Sequence, residues 1–146
     1  MIVGTYFKIN GTWYLIYAKQ ADELIAWIRS KTLFHFKIKE TDTMLSQKPG
    51  RSVIRAALTR WTTHFLAYCR LYDLRLAILS VVTQDRQLPE SERVVIFGDS
   101  AAKQKAMSMV VLIDNRMFWD AIDRYVISFV QFSPQSTQIP SVLTVN

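Results

Sequence analysis

From Leu58 to Val82 the chain runs without a glycine or a proline, and its apolar residues recur at helical spacing: Leu58, Trp61, Phe65, Tyr68, Cys69, Tyr72, Leu76 and Leu79. Residues three and four apart share one face of an α-helix, so a stripe of this length has to be covered by other elements. It predicts one long helix over about residues 59–83, stopped by the polar stretch from Gln84-Asp85 to Pro89.

The rest of the chain supplies partners of the same kind. Residues 2–9 are apolar and stop at Asn10-Gly11, a helix-end signal. Trp13, Ile16, Tyr17, Leu24, Trp27 and Ile28 share a face, which predicts a helix over about residues 13–28. Residues 33–45 are ambiguous. Phe34, Phe36 and Ile38 alternate with His35, Lys37 and Lys39 as in a strand, whereas Leu33, Lys37 and Thr41 continue a helix, and helix is preferred. Pro49-Gly50 marks the clearest break in the first half. A short extended piece is expected over Arg93 to Phe97, then a helix capped by Asp99 or Ser100 and running to about Ile113. Asp114 or Asn115 caps a last helix carrying Phe118, Trp119, Ile122, Tyr125, Val126, Phe129 and Val130, which Ser133-Pro134 ends. The expected fold is mainly α, five or six helices over residues 1–132, with an irregular tail over 133–146.

Half of the 146 residues are hydrophobic and 21% are charged, which excludes disorder for most of the chain. The apolar faces are wider than one bundle of this size requires. Either they all pack together, or the chain is cut from something larger. No uncharged apolar run reaches the roughly 20 residues of a membrane span. The longest uncharged stretch, Tyr125 to Asn146, contains two prolines and many Ser, Thr and Gln, so the chain reads as soluble and no membrane partner is expected.

The formal charge of +6 is unevenly placed. Residues 48–75 hold Lys48, Arg51, Arg55, Arg60, Arg70 and Arg75 against Asp73 alone, a net +5, while residues 1–47 carry +2 and residues 76–146 carry −1. A local excess points to an anionic partner more than a uniformly high pI would, although a solvated basic face fits the charge equally well.

Catalytic constellations are hard to find. His35, His64 and Cys69 lack the spacing of a zinc site. His35, between Phe34 and Phe36, reads as a satisfied polar residue, and Cys69 as a small core residue in a chain with no disulfide partner. The glycines at 4, 11, 50 and 98 are scattered and form no phosphate loop. Asp22, Asp73, Asp99, Asp114, Asp120 and Asp123 lie mostly at caps and turns, with Asp120 and Asp123 on one helix face, and a two-metal cluster finds no support in their pattern. No cofactor is implied.

Four blocks carry a resemblance. The segment Leu58 to Leu79, opening on Thr59-Arg60-Trp61, resembles the Thr-Arg-Trp block of hAT-superfamily DNA transposases, particularly fungal ones. Residues 2–8 (IVGTYFK), 99–113 (DSAAKQKAMSMVVLI) and 118–125 (FWDAIDRY) resemble three further blocks of that family in the same order. Thr5, where members often have Asp, and the tail after Ser133 depart from the pattern. The resemblance implies a partial helical domain cut from an RNase H-like transposase, spanning the junction with the helical insertion. It also implies that the family's three metal-holding acids fall outside the chain. The expectation is therefore a catalytically inactive, nuclear, transposase-like fragment and not an enzyme, with DNA as its partner in weak and mostly non-specific binding. Arg60 and Trp61 match residues that contact transposon-end DNA, and Arg55 and His64 complete the expected DNA-facing set. An indole face supports base stacking, and a guanidinium supports phosphate contact. By its pattern alone, Trp61 is a core residue beside Phe65 and Tyr68. A fragment would leave Trp13, Tyr17 and Trp27 exposed and would self-associate through its apolar faces. The alternative is a helical protein–protein interaction module with no role in nucleic-acid binding.

Overall fold

The computed structural model describes residues 12–56 and 61–132, with side chains described over 16–56 and 64–127. The apolar segment 2–9, the side chain of Trp13, Arg60 and the tail 133–146 lie outside the described residues, as does the side chain of Trp61. The described residues form six α-helices and no strand, in agreement with the mainly α expectation. They are α1 (Thr12–Ser30), α2 (Thr32–Ser46), α3 (Trp61–Asp73), α4 (Arg75–Gln87), α5 (Ser100–Asp114) and α6 (Arg116–Phe132), with a 3₁₀ turn at Glu90–Glu92.

The helices close a circuit in which α1 packs on α2, α2 on α4, α4 on α5, α5 on α6 and α6 back on α1, while α3 lies against α6 and α4. One continuous core results. Its fully enclosed members include Leu24, Ile28, Phe34, Ile38, Leu71, Leu74, Ile78, Ile113 and Phe118, drawn from every helix. This closure covers much of the apolar faces, but Ile16, Leu33, Phe36, Met44 and Leu76 remain exposed.

Trp27 differs from expectation. It is buried, not exposed, with its ring edge-on to Phe34 at 5.3 Å. The cause is α2, the segment whose period was ambiguous. The chain turns at Lys31, whose N–H donates to the Ile28 carbonyl (3.0 Å), and folds α2 back over that face of α1. Tyr17 is half-buried against the core, beside Phe118. Alternation of Phe34, Phe36 and Ile38 proved misleading, because Phe34, Ile38 and Asp42 are the buried stripe and Phe36 faces out.

The predicted long helix is two. Leu74 separates α3 from α4, and the Arg75 guanidinium donates to the Tyr72 carbonyl there (2.9 Å). Leu76, expected inside, is 60% exposed, and Ala77, Ile78, Val81 and Val82 face the core instead. Phe65, Tyr68 and Cys69 are buried as expected, and burial pushes the Cys69 thiol up to about 12.

The remaining caps are ordinary. Asp99, not Ser100, caps α5, its carboxylate accepting from the Ala102 N–H (2.8 Å). Asn115 starts α6 by accepting from the Met117 N–H (3.0 Å), and the Trp119 indole donates to the Ile113 carbonyl (2.7 Å), locking the α5–α6 corner. The piece from Arg93 to Phe97 is irregular, held by a carboxylate and not by a strand partner.

α2 ends with Gln47 in the left-handed region (φ 57°), its N–H donating to the Thr43 carbonyl (2.8 Å). The chain then doubles back so closely that a Cβ on Gly50 would lie 2.3 Å from the Lys39 carbonyl oxygen and 2.7 Å from Thr43 Oγ1. Backbone cannot yield as a flexible side chain would. Gly50→Ala is expected to cost about 1–3 kcal/mol in urea unfolding, with exposed Pro49→Ala as the near-neutral control. Equal midpoints for the two variants would refute the close approach.

Candidate nucleic-acid interface

The basic segment enters the fold as a strap, residues 48–56, laid across α1, α2 and α3. Having no ladder or helix to satisfy its backbone, it is held by side chains. Arg29 of α1 donates to the Val53 carbonyl (2.9 Å), and Arg70 of α3 to the Ser52 carbonyl (3.0 Å). The Val53 N–H donates to Nε2 of His35 on α2 (3.1 Å), and Val53 itself is fully buried. Accepting that bond requires an unprotonated Nε2. Burial first, then the charges of Arg29 and Lys39, hold the imidazole below its usual range.

At the strap's start, Arg51 is fixed by Asp42. Both the backbone N–H (3.0 Å) and Nε (3.1 Å) of Arg51 donate to one carboxylate oxygen, and Nη2 donates to the other (2.9 Å). Nη1 reaches Asp73 of α3 at 3.4 Å. Burial raises Asp42, but the Arg51 hydrogen bonds and charge, aided by Arg70, outweigh it and hold the carboxyl below the ordinary carboxylate range. Asp73 moves the other way, because burial exceeds the pull of Arg51, Arg70 and Arg75.

The net +5 segment is therefore not a free cationic patch. Arg51 and Arg70 hold the strap, while Arg75 caps Tyr72 and lies over its ring, 3.9 Å from the centroid. Lys48 and Arg55 are exposed, and neither the ammonium of Lys48 nor the guanidinium of Arg55 has an ion-pair or hydrogen-bond partner among the described residues. Arg55 stands at the far end of the strap, before the start of α3 at Trp61.

His64, one turn into α3, is half-buried. Its Nδ1 lies 3.9 Å from Asp22 of α1, and its ring is edge-on to Tyr68. The Tyr68 hydroxyl donates to Asp22 (2.9 Å) and reaches the Ala18 carbonyl (3.2 Å). Burial and the neighbouring Asp22 push that phenol well above its usual range. This cluster joins α1 to α3, so His64 faces a carboxylate and a tyrosine. Of the expected DNA-facing set, Arg55 and His64 can be placed and point to different surroundings.

Of the acids considered for a metal pair, Asp120 and Asp123 are neighbours on α6, where burial raises Asp123 above the ordinary carboxylate range, and the others are engaged separately. Asp22 takes Tyr68, Asp73 takes Arg51, Asp99 caps α5, Asp114 pairs with Arg86, and Asp120 lies 4.0 Å from Arg116. No group of three metal-ligating side chains forms among the described residues.

Two further acids escaped the sequence reading. Among the described residues, Asp42 and Asp85 are the buried charged ones, each 3% exposed. Asp85 accepts from the N–H groups of Val94 (2.8 Å), Val95 (3.2 Å) and Ile96 (3.4 Å). Both sit in the last turns of helices, where the helix dipole disfavours a negative charge, and each is compensated by chain that returns nine residues later. Each continues a buried stripe: Phe34, Ile38, Asp42 in one case and Ile78, Val82, Asp85 in the other. That position in the period was the available signal. A groove of about 590 Å³ between α2 and α4, lined by Lys37, Glu40, Met44, Gln84 and Leu88 among others, has Asp85 on its wall with both carboxylate oxygens already bonded.

No helix of the described residues is long and apolar enough to cross a membrane. Searches among protein families, curated proteins and solved structures find no match to this chain.

Proposed function

We propose that the chain is a catalytically inert, transposase-like helical domain that binds DNA weakly and with little sequence preference, acting in the nucleus. The observation that carries this reading is Arg55, exposed and unpaired among the described residues at the end of a strap fixed by Arg29, His35, Asp42 and Arg70, and shortly before Thr59-Arg60-Trp61 in sequence. A guanidinium on backbone held by hydrogen bonds has only its side chain left to order on meeting a phosphate. The prior engagement of the acids with Tyr68, Arg51, Arg86 and a helix cap supports inertness.

The commitments of Arg51, Arg70 and Arg75 sharpen the test. With Lys48, Arg55 and Arg60 as the phosphate contacts, log affinity for a DNA hairpin should fall with log salt at a slope of about −3, not the −5 or so of six cations. Arg55→Ala should reduce that slope by about 1 without moving the melting temperature, and Trp61→Ala should weaken hairpin binding by about 1–3 kcal/mol. Affinity independent of salt would overturn the reading. It would favour instead an interaction module using the exposed Leu33, Phe36 and Met44 of α2, the surface that would also serve self-association.

A further inference from the structure

We propose that His35 is a pH-sensitive latch, which holds the Val53 end of the strap while neutral and releases it on protonation. The geometry is direct. The Val53 N–H can only donate, and Nε2 of His35 is its acceptor at 3.1 Å. Protonation turns Nε2 into a donor, so two donors face each other at a buried residue and the bond is lost.

The surrounding charges increase the effect. Arg29 of α1, which donates to the Val53 carbonyl on the same peptide segment, and Lys39, one turn further along α2, both oppose a charged imidazole. The nearby carboxylates are already engaged. Asp42 is taken by Arg51, Asp73 of α3 by Arg51 with Arg70 and Arg75 near, and Asp85 of α4 by the loop N–H groups. An imidazolium formed at His35 therefore meets cations and finds no open carboxylate among these neighbours.

The sign follows from the shift. The folded-state value lies below the ordinary 6.5, so the neutral imidazole favours the fold. The latch is closed above about pH 6.5 and opens as pH falls through the lowered value. Asp42 still pins Arg51, and Arg70 and Arg29 still bind the Ser52 and Val53 carbonyls, so the loosening is confined to the Val53 amide and the stretch after it, which includes Arg55. The consequence for DNA rests on the reading of Arg55 given above.

Amide hydrogen exchange of Val53, corrected for the intrinsic rate and measured without DNA, tests the latch. Between pH 7.5 and pH 5 the protection factor should fall by at least about tenfold in the natural protein. It should stay flat in His35→Gln, which keeps an acceptor but does not titrate. Lys39→Gln, at an exposed position, should move the midpoint upward, and it serves if His35→Gln fails to fold. Constant protection, the same fall in a folded His35→Gln, or a midpoint unmoved by Lys39→Gln overturns the proposal. A parallel titration with a DNA hairpin separates the two readings. Protection lost without any difference in DNA affinity between the natural protein and His35→Gln upholds the latch and removes its link to DNA.

Discussion

Asp85→Ala should lower the stability by about 3–5 kcal/mol, the largest loss expected from a single polar side chain here. The carboxylate is 3% exposed and accepts from three consecutive backbone N–H groups, at Val94, Val95 and Ile96. Removing it strands donors in a place water reaches poorly, where each unsatisfied group costs about 1–3 kcal/mol. Some recovery follows if the loop opens to solvent, so the total falls below three full penalties. Opening would carry Val95, a buried core residue, out with it. Arg93 would go too, although it donates to the Leu88 carbonyl (3.0 Å) and the Arg86 carbonyl (3.3 Å) and so covers the end of α4. Asp85→Asn keeps one acceptor oxygen but turns an amide donor towards those N–H groups, and should recover less than half of the loss. Urea unfolding of the three proteins at pH 7, with exchange rates for residues 94–96, measures both effects. A loss under about 1 kcal/mol for Asp85→Ala would show that the loop holds without its anchor.

Arg51→Met should cost about 3 kcal/mol. The substitution leaves Asp42, with a side chain 5% exposed, with the backbone N–H but without the two guanidinium hydrogen bonds that neutralise it, while the partial exposure of Arg51 (23%) keeps the cost at the lower end of its class. The double variant Asp42→Leu, Arg51→Met should regain much of the loss, because no charge is then left buried. Acid provides an independent check. Asp42 has a folded-state value below its unfolded one, so its contribution is complete above about pH 4 and is lost as pH falls through the lowered value. Asp73 is raised and has the opposite sign, with its ionisation opposing the fold above its ordinary value. The natural protein should therefore lose more stability between pH 5 and pH 2 than the double variant. Parallel acid titrations of the two would exclude the Asp42 pair as a source of acid sensitivity.

Helix number and class were legible in the sequence because they depend on local period. The stripes around Leu24 and Ile28, around Phe65, Tyr68 and Cys69, and around Phe118, Ile122 and Tyr125 are buried as their spacing requires. Caps at Asp99 and Asn115 follow from side chains that bond the nearest free N–H groups. His35 as a satisfied polar residue and Cys69 as core were readable for the same reason: their neighbours in sequence are apolar.

Contacts between residues distant in sequence were decided by the tertiary structure. Leu74 carries no breaker, yet the helix is interrupted there, and Leu76 lies on the outer face. Trp27 is covered because α2 folds back from Lys31, which no local period encodes. The charge count of the basic segment was correct, but charge alone cannot tell a guanidinium that binds carbonyls from one that waits for phosphate. Arg51 and Arg70 became structural because the strap's unpaired backbone, the buried Asp42 and the half-buried Asp73 lie within their reach, and Arg75 because the Tyr72 carbonyl lies within its own. Asp42 and Asp85 look in sequence like ordinary acids near helix ends. Only packing of α2 against α4 and the return of each following loop bury them, and burial is what turns a solvated carboxylate into an anchor.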